Sequence, residues 1–130
     1  MIVYTCFLID LMRADSGALQ ALQKLERGSE PLRVPTVVLY ELWEGIERCS
    51  TPIRELRAVE AILASHPTVD LSAAAAKRAR RLSAQLARRG EVVDDLDILI
   101  AGCALQEGDA LLTRNLAHFE RVTDLRVHPY

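Results

Sequence analysis

Residues 90–105, Gly-Glu-Val-Val-Asp-Asp-Leu-Asp-Ile-Leu-Ile-Ala-Gly-Cys-Ala-Leu, constrain this chain more than any other stretch. A glycine ends one helical pattern, a short acidic knot follows, and a helix of small apolar residues begins. Asp94, Asp95 and Asp97 all fall where that helix starts. Free backbone N–H groups and the helix dipole favour negative charge there, which is account enough for Asp94 and Asp95. Asp97 differs, because Ile98, Leu99, Ile100 and Ala101 beside it are destined for the interior. An acid at the edge of an apolar wall needs a partner, and a metal ion is one of the few good ones.

The rest of the chain alternates short apolar runs with helical patterns. Ile2 to Cys6 reads as a buried first strand, with Phe7 to Met12 helical straight after it. A helix from about Ser16 ends at Gly28, with Leu19, Leu22 and Leu25 as its apolar face. Leu32 to Val34 is a second strand closed by Pro35. Thr36 is expected to cap a helix running toward Cys49. Thr51-Pro52 opens the next helix, whose buried stripe is expected at Ile53, Leu56, Val59 and Leu63. Val69 to Leu71 is a third strand. Ser72 caps an alanine-rich helix reaching Gly90, with Ala75, Ala79, Leu82 and Leu86 as its stripe. The central helix, Leu96 to Glu107, precedes a strand at Ala110 to Thr113, a turn at Asn115 to Phe119 and a last strand at Leu125 to Val127. This order implies α/β architecture with a short parallel sheet covered on both faces. Sites in such sheets form at the carboxyl ends of the strands. Tyr4 to Cys6, Thr113 to Asn115, Glu41 and Asp97 could therefore converge on one rim.

A chain of 130 residues, half of them hydrophobic, makes one domain over residues 1–130. No apolar run approaches the roughly 18 residues of a membrane span, and no signal peptide is evident. Cys6, Cys49 and Cys103 are odd in number and far apart, which suggests free thiols in a reducing cytoplasm. A net charge of −2 does not advertise nucleic-acid binding. A nuclease with this balance must concentrate its basic side chains locally. Lys77, Arg78, Arg80, Arg81, Arg88 and Arg89 do so on one helix, as a phosphate grip or as an ordinary solvated face.

Four segments in order carry a family resemblance: Val3-Tyr-Thr-Cys-Phe-Leu-Ile-Asp10, Thr36-Val-Val-Leu-Tyr-Glu-Leu-Trp-Glu-Gly45, Asp97-Ile-Leu-Ile-Ala-Gly-Cys-Ala104 and Leu112-Thr-Arg-Asn-Leu-Ala-His-Phe-Glu120. Together they resemble the PIN domain of VapC-type toxins from prokaryotic toxin–antitoxin pairs, over nearly the whole chain. The resemblance implies a three-layer α/β/α endoribonuclease that uses Mg²⁺ or Mn²⁺. It further implies a homodimer and a VapB-type antitoxin whose C-terminal segment intrudes on the acidic site. Glu41 and Asp97 match two of the family's metal-holding acids and its catalytic positions, and Asn115 matches the last metal position. Arg114 and Thr113 are candidate phosphate contacts, Arg114 the better one because a guanidinium can grip phosphate with two hydrogen bonds.

The family's first acid is absent. Thr5-Cys6-Phe7-Leu8-Ile9-Asp10 fits the pattern, but Tyr4 stands where an aspartate is expected. Asp10 lies beyond the strand end and reads as a helix-face or capping acid. Mg²⁺ wants hard oxygen ligands in near-octahedral order, lowers the pKa of a bound water and shields charge growing on phosphate. A tyrosine hydroxyl, with a pKa near 10, is neutral at pH 7 and a poor ligand. The expectation is a weakened or inactive nuclease, or alternatively a silent PIN module that binds antitoxin or RNA without cutting. Degeneration, recovery of an inactivated form, or loss of one residue from a Tyr-Asp-Thr run would each leave Tyr4 there. A receiver-like phosphate-binding domain is disfavoured, because no glycine-rich loop follows the first strand. His118-Phe119, His66 and His128 read as structural or exposed, and Trp43 with Tyr40 as core or as an antitoxin groove.

Overall fold

The computed structural model describes residues 1–28 and 30–130. Its elements are β1 (Ile2–Val3), α1 (Thr5–Met12), α2 (Ser16–Arg27), β2 (Val34–Pro35), α3 (Thr36–Arg48) and α4 (Pro52–Ser65), followed by β3 (Thr68–Val69), α5 (Ala73–Arg88), α6 (Asp95–Glu107), β4 (Leu111–Leu112), α7 (Leu116–Phe119) and β5 (Val127–His128). All strand pairings are parallel. One sheet runs β1-β4-β5 and another β2-β3, joined by a parallel bridge between Ile2 and Arg33. The expected α/β architecture with a short parallel sheet is the one observed.

The strands are short because each run ends almost as soon as it has crossed the core. Ile2, Val3, Val34 and Leu111 have no exposed surface, and they meet Phe7, Val38, Ile100 and Phe119 in one apolar cluster. The first strand is two residues long rather than five. Thr5 already belongs to α1, so that helix starts at the sheet's rim and carries Asp10 on its inner side.

The capping pattern holds in three places. Ser72 Oγ accepts from the Ala75 N–H at 3.1 Å, Asp94 accepts from Leu96 N–H at 3.0 Å, and Gly108 ends α6 in the left-handed region at φ 65°. The stripe of α5, from Ala75 to Leu86, is buried as expected. Elsewhere local pattern gives way to tertiary packing. Thr36 does not cap its own helix; its hydroxyl accepts from the Leu71 N–H at 3.2 Å, tying the start of α3 to the chain leaving β3. On α2 only Ala18 is buried, and Leu19 is exposed. On α4 only Val59 is buried, while Ile53 and Leu56 face outward. Those two helices lie at the periphery, α2 against α1 and α4 against α3 and α1, and each is covered along one narrow line.

Among the described residues, no helix is long and apolar enough to cross a membrane. All three cysteines are free.

Candidate active site

Parallel pairing puts the ends of β1 and β4 on the same edge, and the chain leaving each turns directly into the site. Tyr4 N–H donates to the Leu112 carbonyl at 3.1 Å, so Tyr4 and Thr113 leave the sheet side by side. From there Tyr4 and Thr5 reach two different acids. The Tyr4 hydroxyl donates to Asp97 Oδ1 at 2.7 Å, and the Thr5 hydroxyl donates to Glu41. Glu41 comes from the second turn of α3, and Asp97 from the first turn of α6. The two carboxylates predicted from sequence are thus gathered by adjacent residues of one strand end.

Asp97 is buried, at 3% exposure, yet its oxygens are both engaged. Oδ1 takes the Tyr4 phenol, and Oδ2 lies 2.7 Å from His118 Nδ1 on α7. His118 therefore does more than pack near the last strand: its ring closes over the acid. Sequence reading missed this because α7 must fold back across α6 for the two to meet. The only available signal was the position of His118, one turn after Asn115. The Tyr4 ring is held edge-on against Phe119, with centroids 5.1 Å apart.

The electrostatics follow from two acids sharing a half-buried edge. Burial first pushes the Glu41 carboxyl above its ordinary value; the Thr5 hydrogen bond pulls it down, and the negative charge of Asp97 pushes it up again. The Tyr4 phenol is driven well above its usual value, by burial and then by its hydrogen bond to Asp97. It stays protonated and acts as a donor.

The remaining candidates are distributed differently. Thr113 is fully buried, with its hydroxyl accepting from Asn115 N–H at 3.0 Å and 3.5 Å from Cys6 Sγ. It holds the strand end and does not reach solvent as a phosphate contact would. Asn115 precedes α7 without a side-chain capping bond, so its amide is not committed to the helix. Arg114 is exposed at its tip, but one guanidinium nitrogen lies 2.8 Å from Asp10 Oδ2. Asp10 is neither a surface cap nor part of the Glu41–Asp97 pair. It is buried, at 4% exposure, and also accepts from the Tyr130 hydroxyl at 2.8 Å.

These residues do not fit a tight three-carboxylate centre for Mg²⁺ or Mn²⁺. Among the described residues, no three His, Cys, Asp or Glu side chains gather in a way that could hold a metal ion. Beside the two acids stands a neutral phenol, Tyr4, which occupies a lone pair of Asp97. Beside Glu41, Ile9, Met12, Leu42 and Ile46 line a shallow groove of about 260 Å³. Trp43 and Tyr40, on the same helix, are exposed and not core.

Comparison with known proteins gives this geometry a family. The PIN domain model matches residues 1–125. The tRNA(fMet)-specific endonuclease VapC of Shigella flexneri is 36% identical over 97 residues, covering 75% of this chain and 74% of that protein. Ribonuclease VapC19 of Mycobacterium tuberculosis is 30% identical over 129 residues, 96% of each. Among solved structures, VapBC2 of Rickettsia felis bound to a promoter DNA fragment superposes with a TM-score of 0.92 at 21% identity, over 99% of this chain and 97% of that one. DNA-bound VapBC of Salmonella typhimurium gives 0.89 at 26% identity, over 98% and 96%. Two acids on the expected helices, a family model matched almost end to end and relatives at this identity lead to one statement: the chain belongs to the PIN-domain family, in its VapC branch.

Proposed function

We propose that this chain is the toxin of a type II toxin–antitoxin pair, an endoribonuclease of Mg²⁺- or Mn²⁺-dependent lineage whose metal centre is weakened by Tyr4. The observation that carries this reading is the meeting of Glu41 and Asp97 at Tyr4–Thr5, on the carboxyl edge of a parallel sheet. Relatives named endonuclease or ribonuclease support the reaction class. Glu41, Asp97 and the amide of Asn115 are the residues that would face a metal ion. A VapB-type antitoxin is the proposed partner, since the similar solved structures are VapBC complexes. The groove beside Glu41, where Ile9, Met12, Leu42 and Ile46 are joined by Arg13, Arg54 and Glu55, is the proposed seat of its segment. A homodimer and a cytoplasmic setting, consistent with three free thiols, complete the proposal.

The alternative is a silent PIN module that binds antitoxin or RNA without cutting. It is favoured by the phenol on Asp97, which takes a position a metal ion would need. Calorimetric Mn²⁺ titration of the chain beside a Tyr4→Asp variant, with an RNA cleavage assay on both, separates them. The weakened-nuclease reading expects the variant to bind Mn²⁺ at least about tenfold more tightly, some 1.4 kcal/mol, and to cleave RNA. Tight and equal binding by both proteins would mean that Tyr4 is no handicap. Tight binding by the variant without any cleavage would favour the silent module.

A further inference from the structure

The six cations of α5 do not spread evenly around the helix. Arg78, Arg81, Arg88 and Arg89 line one groove of about 610 Å³, with Gln85 between them. Positions 78, 81, 85 and 88 form a single helical stripe, which runs about 15 Å along the axis. Leu82 and Leu105 are also in its lining, and Thr123 and Asp124 come from the turn after α7. Four guanidiniums thus share the groove with one carboxylate.

Most of these arginines have no partner. Elsewhere Arg33, Arg48 and Arg114 each sit within 2.8 Å of a carboxylate oxygen. Among the described residues, Arg78, Arg81 and Arg88 are in no ion pair. Only Arg89 is engaged, 3.7 Å from Glu91 and donating to the Arg121 carbonyl at 2.8 Å. A chain with net charge −2 has carboxylates to spare, yet Asp124 is the one carboxylate in this groove, and it forms no ion pair with the stripe. All four arginines are exposed, and they line one concavity, an arrangement that concentrates positive potential.

The groove and the acidic site share one stretch of chain. The segment 116–124 serves both, with His118 at Asp97 and, a few residues later, Thr123 and Asp124 in the groove. Along α6, Asp97 and Leu105 are separated by eight positions, about 12 Å of helix. A chain of phosphates crossing the acid pair could continue past α7 onto the arginines.

We propose that this groove is a second RNA contact, a channel that grips the phosphate backbone away from the acid pair and neutralises about three phosphates. Guanidinium forks suit phosphate oxygens, and the lone exposed amide of Gln85 can donate to a sugar or base between them. The inference rests on the reading of the chain as an RNA-directed protein, but it does not need cleavage.

The test is fluorescence anisotropy with a labelled single-stranded RNA of about 12 nucleotides in EDTA, titrated with salt. The proteins are the chain itself, an Arg78→Gln/Arg81→Gln/Arg88→Gln variant, the matching triple Lys variant, and Arg57→Gln on α4, outside the groove. The channel predicts that the Gln variant binds at least tenfold more weakly at about 50 mM salt, with the slope of log K against log[salt] reduced by about 2. The Lys variant, which keeps the charge, should retain most of the slope, and Arg57→Gln, which removes one exposed cation outside the groove, should retain both affinity and slope. Equal slopes for the chain and the Gln variant would overturn the channel while leaving RNA binding in place. Failure of the chain to bind RNA at low salt would overturn the channel and the RNA-directed reading together. Displacement of RNA by an acidic peptide at equal charge would assign the groove to a protein partner, and tighter arginine-dependent binding of duplex DNA would assign it to DNA. Either result overturns the RNA assignment.

Discussion

Tyr4 meets the acid site through its hydroxyl and its ring alike. A neutral donor bonded to a buried carboxylate satisfies one oxygen of Asp97, and the edge-on contact with Phe119 fixes the ring. Removing the hydroxyl alone takes the donor from Oδ1, while His118 stays against the other oxygen. Tyr4→Phe should therefore cost about 1–3 kcal/mol, read as a lower denaturant midpoint with an unchanged slope. An unchanged midpoint would mean that water replaces the phenol at no cost. At this scale the sequence was legible where residues have fixed spacing. That Glu41, Asp97 and position 4 meet at one sheet edge could be read from motifs. His118 could not, because a single imidazole has no periodicity and its partner is set by how α7 folds back. Asp10 was legible as a helix acid but not as a buried one. Its partners, Arg114 and Tyr130, come from the opposite end of the chain.

At the scale of elements, α5 and α6 form the most closely packed pair, and Gly102 makes the approach possible. A Cβ built there would lie 2.8 Å from the Ala75 carbonyl oxygen and 2.8 Å from Ala79 Cβ. Backbone cannot move aside as a flexible side chain does. Gly102→Ala should destabilise the fold by about 1–2 kcal/mol, because overpacking outweighs the gain in helix propensity. Urea unfolding of the variant would show a lowered midpoint; a raised one would mean that α5 can shift outward. The stripe of α5 was fully legible because Ala75, Ala79, Leu82 and Leu86 have a neighbour within this chain. The stripe of α4 was misread at Ile53 and Leu56 for the converse reason. Periodicity identifies an apolar face, but not whether its cover belongs to the same polypeptide. The strand boundaries also blurred, since a two-residue strand leaves too few positions for alternation to be visible.

Across the whole molecule, distant segments are tied by a charged clasp beneath the sheet. Asp109, just before β4, lies 2.9 Å from the Met1 amine and 2.8 Å from Arg33, whose other nitrogen is 2.7 Å from Glu107. Burial raises the Asp109 carboxyl, but the hydrogen bonds from Arg33 and the amine overbalance it and hold it below its ordinary value. A depressed folded-state pKa means that the unfolded chain binds more protons in the window between the two values. The contribution is therefore present above the unfolded pKa of about 3.9 and is lost as pH falls through the folded one. Asp109→Asn should cost about 2 kcal/mol at pH 7, with the gap to the parent protein closing in thermal melts below about pH 4. A gap that persisted into stronger acid would mean that the clasp acts through shape and not through charge.

The pairing of Ile2 with Leu111 has a consequence for synthesis on the ribosome. A nascent polypeptide translated through Asp97 already contains both carboxylates, but the neighbour that β1 requires has not yet been made. Closing so distant a contact is slow and must come late. The meeting of the acid pair is thus timed by the topology, and an unfinished copy carries the acids without the edge that brings them together.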